Sequence, residues 1–239
     1  MRKLKLRIKN KLTLTEALRI IRFSAENQRS VNQGVIDIIK KSFNFNEKDY
    51  IYIKAEFELI LLSHSVDHIL RLLQEFRVLE KLIPGLSRCY GFNQRSKYHN
   101  KDVFEHIISV TSIVPRDITL RLCGILHDIA KPICFTMDSK GNGHFPNHDA
   151  LSASMARDIL KGFGYSEDVI DKVYLLVKNH MKKCKVASKE NLIKLTNLVG
   201  KDNVIDLLEL QIADDLSKNP EYVNVKPLVC LYKIQKNIN

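Results

Sequence analysis

The chain holds 239 residues with 45% hydrophobic content, enough for one large or two small domains with a real core, and no apolar run approaches the ~20 residues of a membrane span. Its five cysteines (Cys89, Cys123, Cys134, Cys184 and Cys230) are scattered and form no CxxC, which argues against a disulfide framework or a zinc knuckle and suits reduced thiols in the cytoplasm. A formal net charge of +11 favours polyanionic partners, RNA above all, or a phosphorylated substrate; the competing reading is a lysine-rich solvated surface.

Residues 1–11 carry six of the positive charges and lack the apolar block of a signal peptide. They alternate basic and apolar, which fits a short strand or a basic arm that orders on a partner. From Thr15 the period becomes helical: Leu18, Ile21 and Ala25 share a face, Arg19 and Arg22 flank it, and Thr13 or Thr15 is the expected N-cap. Further helices are predicted at about 32–41, 46–62 (capped by Asn46) and 63–76 (opened by Ser63 or Ser65). His64 and His68 are spaced i,i+4, but no third ligand stands near them, so they are read as surface histidines. Pro84-Gly85 closes this half, and the polar connector 87–100 is the best domain boundary.

A helix at about 102–114 stops at Pro115. The segment that follows, 120–129, is apolar on every side and should lie at the centre of a helical bundle. It ends by presenting His127 and Asp128, then Lys131 before Pro132. A buried His-Asp pair is costly unless something compensates it, and with further histidines to come a metal ion is the simplest compensation. After a loop at 133–147, with Gly141 and Gly143 at its turn, helices are predicted at about 148–162, 166–181, 189–199, 201–217 and 225–238. The fold class is all-α. A second basic cluster, Lys178, Lys182, Lys183 and Lys185, follows the second of these helices.

The informative question is which face each polar residue occupies. His106 sits within the stripe Val103, Ile107, Val110 and Val114. His180 continues Val169, Val173, Leu176 and Val177. Asp214 follows Val204, Leu207 and Leu210, and His148 opens its own helix. Any one of these is most simply a hydrogen-bonded core residue. Taken together, His106, His127, Asp128, His148, His180 and Asp214 point inward from five helices, and one explanation covers them all: a metal centre. Nitrogen and carboxylate ligands suit Mn, Fe, Co, Ni or Zn better than Ca; Mg is the less natural choice. Six ligands suffice for two ions bridged by one carboxylate, an arrangement that activates water and clamps a phosphoryl oxygen. Lys131, i+4 from His127, shares its face if the helix persists, and either neutralises a substrate phosphate or caps the helix end. His99 and His144 are read as loop residues.

These motifs resemble a known family. His106…His127-Asp128…Asp214 is similar to the H…HD…D signature of the HD-domain metal-dependent phosphohydrolases, and His148 and His180 resemble the additions of its two-metal members. The segments 98–106, 127–132, 144–148 and 213–220 resemble the HD domain fused to bacterial tRNA CCA-adding enzymes, and 18–25 the helix that joins that family's catalytic head to its body. The resemblance spans roughly 12–239 and implies a helical neck and body (12–95) and an HD-type bundle (96–239), after the basic arm (1–11). It departs at the nucleotidyltransferase head, whose Gly-rich turn and Asp-x-Asp pair are missing. Ala130 and Asp149 also stand where Gly and Glu are common in the family. The expectation is a standalone homologue without a head, or a fragment, with a separately encoded nucleotidyltransferase subunit as a candidate partner.

Two functions follow. The first is a metal-dependent phosphatase or phosphodiesterase acting on phosphomonoesters or 2′,3′-cyclic phosphodiesters of nucleotides or RNA ends. In it Asp128 bridges the ions and orients the nucleophile, and Lys131 binds phosphate. The second is a non-catalytic RNA-binding module, a clamp on the tRNA acceptor stem, supported by the charge, the basic arm and body helices that resemble a tRNA-binding region.

Overall fold

The computed structural model describes residues 11–41, 43–44 and 50–238, so the predicted arm (apart from Lys11) and the predicted cap Asn46 lie outside the described residues. Thr13 starts the first helix, α1 (Leu14–Glu26), by a reciprocal capping box. Its hydroxyl accepts from the Glu16 N–H at 3.2 Å, and the Glu16 carboxylate accepts from the Thr13 N–H at 2.8 Å. Two-residue strands β1 (Leu12–Thr13) and β2 (Phe43–Asn44) pair in parallel beside it. After α2 (Gln33–Lys41), α3 (Tyr50–Leu61) and α4 (Val66–Glu75) pack on α1 through Leu18, Ile21, Phe57, Ile60 and Leu70, all buried. Two single turns, α5 (Leu79–Leu82) and α6 (Pro84–Ser87), lead into the connector.

The second half is built on α7 (Val103–Ile113) and α8 (Ile118–Leu126), each capped by an aspartate, Asp102 and Asp117, that accepts from a backbone N–H in its helix's first turn. Their crossing depends on Gly124, where an added Cβ would lie 2.9 Å from the Thr111 Cα. As the apolar pattern predicts, every residue from Thr119 to Lys131 is buried. α8 touches helices on all sides: α3, α7, α10 (His148–Gly162), α11 (Glu167–Asn179) and α13 (Val204–Leu216). Between α8 and α10 come the short helix α9 (Lys131–Cys134) and a hairpin of β3 (Thr136–Met137) with β4 (Gly143–His144). α12 (Lys189–Val199) packs on α13, as does α14 (Lys226–Ile238), which follows a 3₁₀ turn at Pro220–Tyr222.

One hydrophobic cluster runs from Leu12 to Leu231 and joins both halves. Phe57 of α3 stacks on Phe163 with ring centroids 5.6 Å apart, and Arg71 of α4 pairs with Glu105 of α7 at 2.9 Å. Among the described residues the architecture is all-α with two minimal β pairs. Among the described residues no helix is long and apolar enough to cross a membrane.

One sequence expectation fails here. The central helix does not persist to Lys131 but ends at Leu126. A turn carries His127 to Ala130, and Lys131 opens α9 with Pro132 in that helix's first turn, where proline's missing N–H costs nothing.

Candidate metal centre

Five helices deliver six polar side chains to one point, all of them buried: His106 from α7, His127 and Asp128 from the end of α8, His148 from the start of α10, His180 from the end of α11 and Asp214 from α13. The local backbone explains the aim of several. Asn147, just ahead of α10, adopts a left-handed conformation at φ +57°, which asparagine tolerates, and so starts the helix with His148 facing the bundle. The close α7–α8 crossing at Gly124 leaves the His106 and His127 Nε2 atoms 3.4 Å apart.

Three of the four imidazoles are set in the same way. The Nδ1–H of His127 donates to the Gly124 carbonyl at 2.8 Å, that of His148 to the Phe145 carbonyl at 2.7 Å, and that of His180 to the Val177 carbonyl at 2.7 Å. A carbonyl can only accept, so Nδ1 carries the proton and Nε2 is the atom turned inward.

All four Nε2 atoms converge on one carboxylate. His106 and His127 approach Asp128 Oδ2 at 3.3 Å and 3.1 Å; His148 and His180 approach Oδ1 at 3.2 Å and 3.6 Å. Yet Asp128 Oδ1 and the Nε2 atoms of His148 and His180 have no hydrogen-bond partner, and neither does His106 Nδ1. Buried polar atoms are normally satisfied, so such a concentration of unpartnered ligand atoms around one carboxylate is the chemistry of a cation-binding site. The spacing identifies its kind: donors about 2.1 Å from a shared ion and roughly 90–110° apart lie roughly 3.0–3.4 Å from one another. Among the described residues two triads come close to this spacing, His106-His127-Asp128 and Asp128-His148-His180, each with ligand atoms within 4.8 Å of one another, and they share Asp128. The donor set fits one or two divalent cations.

Asp214 stands at the edge of the first triad. Its Oδ1 lies 3.0 Å from His106 Nε2, while Oδ2 is held by the ammonium groups of Lys183 and of Lys218, the latter at 3.1 Å. Both lysines also reach Asp215, at 2.6 Å and 2.8 Å.

The electrostatics follow from this crowding. Burial acts to raise the Asp128 carboxyl, but the His127 imidazole, the Lys131 ammonium and the His106 ring set against it outweigh burial and hold it well below the usual carboxylate range. Asp214 is likewise depressed: burial opposes, and Lys183, Lys218 and His106 prevail. Burial drives His180 down despite the facing carboxylate, whereas at His148 Asp128 overcomes burial and raises it.

Lys131 is 5% exposed, so the reading as a surface cap does not hold. Its ammonium donates to Asp128 Oδ2 at 2.7 Å and to Gln94 Oε1 at 2.9 Å, and lies 5.2 Å from the Phe145 ring centroid. It lines an open cavity of about 240 Å³ together with His99, Asp128, His148, Asp214 and Lys218. His99 is more than a loop residue: it is half-buried, packs edge-on against His106, and burial followed by the Lys131 charge takes its pKa to about 2. His144 is the exposed hairpin residue expected, and it donates to Asp138 at 3.1 Å. His64 and His68, both exposed, belong to neither triad.

Sequence reasoning missed Gln94 and the two lysines on Asp214. Lys218 lies four residues beyond Asp214, just past the end of α13 at Leu216, so no helix face predicts its contact. The Gln94 contact with Lys131 and the Lys183 contact with Asp214 join residues far apart in the chain, and no local pattern encodes them.

Residues 103–219 match the family model described as HD domain. The chain is 27% identical over 171 residues to a CC-adding tRNA nucleotidyltransferase of Thermus thermophilus, covering 69% of this chain and 39% of that protein. It is 28% identical over 135 residues to an A-adding tRNA nucleotidyltransferase of Deinococcus radiodurans, covering 54% and 31%. A bifunctional uridylyltransferase/uridylyl-removing enzyme of Ralstonia nicotianae is 26% identical over 193 residues, covering 71% and 22%. The chain thus spans well under half the length of these curated relatives.

Proposed function

We propose, on the premise that residues 103–219 are an HD domain, that this chain is a metal-dependent phosphohydrolase that cleaves phosphomonoesters or 2′,3′-cyclic phosphodiesters of nucleotides or RNA ends. The observation that carries the reading is the unpartnered Asp128 Oδ1 facing the inward Nε2 atoms of His148 and His180. In this reading His106, His127, Asp128 and Asp214 hold one divalent ion, and Asp128, His148 and His180 a second. Mn, Fe, Ni, Co or Zn suits these ligands best, with Mg the weaker alternative. A bound divalent ion supplies Lewis acidity toward a phosphoryl oxygen and toward water.

The chain's own groups do the rest. Asp128 bridges the two triads and fixes the line along which a nucleophile approaches. Lys131, pinned between Asp128 and Gln94 at the cavity wall, offers a fixed positive charge to a non-bridging phosphate oxygen without having to be ordered first. Lys218 adds a second ammonium on the same cavity. A relative named for uridylyl removal supports hydrolysis at a nucleotidyl phosphoester.

The test is turnover of 2′,3′-cyclic AMP and an aryl phosphate by the purified chain with Mn²⁺, Ni²⁺, Co²⁺ or Mg²⁺, against Asp128→Ala. Metal-dependent hydrolysis lost in the variant is the expected result; equal turnover in the variant overturns the assignment.

A second reading has one specific observation behind it. Asp214 Oδ2 is already neutralised by two ammonium groups, as in a structural ion pair. With the +11 charge and the tRNA-directed names of two relatives, this supports an RNA-binding module that clamps tRNA, partnered by a separate nucleotidyltransferase subunit. Salt-sensitive tRNA binding without turnover under any metal would favour it.

A further inference from the structure

Two exposed tyrosines lie on segments that lead into the cavity wall. Tyr98 and Tyr222 are 51% and 45% exposed and meet edge to face, with ring centroids 5.3 Å apart at 74°. The Lys97 ammonium stands over both, 5.3 Å and 5.4 Å from the two centroids. The pair is anchored by backbone contacts: the Asn219 N–H donates to the Tyr98 carbonyl at 3.0 Å, and the Asn219 side-chain amide to the Lys97 carbonyl at 3.2 Å. Both segments run directly into the cavity wall, since His99 follows Tyr98, Lys218 precedes Asn219, and both residues line it. Consecutive Cα atoms lie ~3.8 Å apart, so the Tyr98 Cα lies that close to the Cα of the cavity-lining His99.

Exposed tyrosines occur elsewhere, at Tyr52 and Tyr90, and exposure alone says little. This pair differs in being fixed against each other, crowned by a cation and joined to the cavity at both ends. The cavity itself supplies the second observation. At about 240 Å³ it falls short of the ~300–1,000 Å³ that encloses a typical small ligand. It has room for a phosphate and the edge of a sugar, so the base of a nucleotide seated there must lie outside, over the rim. That rim offers aromatic faces, which stack on any base, beside an ammonium suited to a flanking phosphate.

We propose that Tyr98, Tyr222 and Lys97 form a nucleobase platform that seats the terminal base of a single-stranded nucleic acid while its phosphate occupies the cavity. The placement of the phosphate rests on the phosphohydrolase reading; the platform itself needs no turnover to be tested. Its three residues bind and are not catalytic.

The experiment compares KM for 2′,3′-cyclic AMP with KM for glycerol 1,2-cyclic phosphate, which has the strained diester but no base, under one metal. Tyr98→Ala and Tyr222→Ala are each expected to narrow the ratio of the two KM values by about tenfold, the scale of one base–aromatic stack. Tyr98→Phe keeps a π-face and should keep the ratio. Tyr98→Leu replaces the alanine variant if that variant fails to melt cooperatively. A ratio unchanged in both truncations, or a phenylalanine variant that behaves like alanine, overturns the platform. Should the wild type hydrolyse neither ester with any metal, the phosphohydrolase reading fails separately. Metal-free binding of adenosine 5′-monophosphate against ribose 5-phosphate then decides. A preference for the nucleotide that Tyr98→Ala removes upholds the platform, and no preference in the wild type overturns it.

Discussion

Two of the buried carboxylates are held in opposite ways. Glu56 in α3, its side chain 6% exposed, is closed by its own chain: Arg19 donates to Oε1 at 2.7 Å, and Arg22 donates to Oε2 through Nε at 3.2 Å and Nη2 at 3.0 Å. Asp128, 2% exposed, draws donors to Oδ2 only, and its Oδ1 faces two imidazole nitrogens and nothing that donates. A buried charge that the protein pairs itself is part of the scaffold. One that the protein surrounds with further ligand atoms is set up for something that arrives from outside.

The difference can be broken at either end. On the phosphohydrolase reading the largest effect is at Asp128: alanine there should lower turnover by at least about 10³-fold, read as kcat on 2′,3′-cyclic AMP, while far-UV circular dichroism stays helical. Next is the ion itself. Mn²⁺ added to chelator-treated protein at about 100 times its Kd should stabilise the fold by ~2.7 kcal/mol, a Tm rise of several degrees that Asp128→Asn abolishes. An unchanged Tm would mean that the orphaned atoms are not a cation site. Glu56→Gln should cost about 2 kcal/mol in urea unfolding, less than the ~3–5 kcal/mol of a fully buried pair because Arg19 remains solvated, and should leave the metal-induced Tm rise intact. Gly124→Ala sharpens the contrast, because its Cβ would meet the Thr111 Cα. A loss of ~1–3 kcal/mol is expected together with a smaller metal-induced shift, since the same crossing sets His106 against His127.

The smallest effect is expected at Glu209. Burial raises its carboxyl above the ordinary range although the Tyr232 hydroxyl donates to it at 2.9 Å. A carboxyl raised in the folded state adds stability below its unfolded pKa of ~4.3 and loses it as pH rises through the folded value. Glu209→Gln keeps the acceptor for Tyr232 and removes that titration. Melts on either side of pH 5 should therefore show a flatter pH dependence than the wild type, with a change at neutral pH of no more than about 0.5 kcal/mol.

Much of this was legible in the sequence, and the reason is periodicity. His106, His180 and Asp214 extend apolar stripes, so a 3.6-residue period places them inward without knowledge of the fold, and the 120–129 segment, with apolar residues on every side, names the central helix. Lys131 shows where that logic stops. Its helix ends five residues earlier, yet the lysine is buried, because the turn after Leu126 folds back and lets it pair with Asp128. His99, Gln94 and Lys183 act through partners on other segments, and no period encodes a contact between an irregular loop and a helix end.

The irregular connector and the hairpin are locked to each other as well as to the site. Gly143 donates its N–H to the Arg95 carbonyl at 2.8 Å and lies so close to Gln94 that a Cβ would stand 2.2 Å from that residue's carbonyl oxygen. Gln94 in turn holds Lys131. The two loops are therefore one interchangeable part. Grafting either alone from a relative would set a foreign side chain against the other's backbone and release the lysine, so selectivity in this scaffold is re-engineered by exchanging both together.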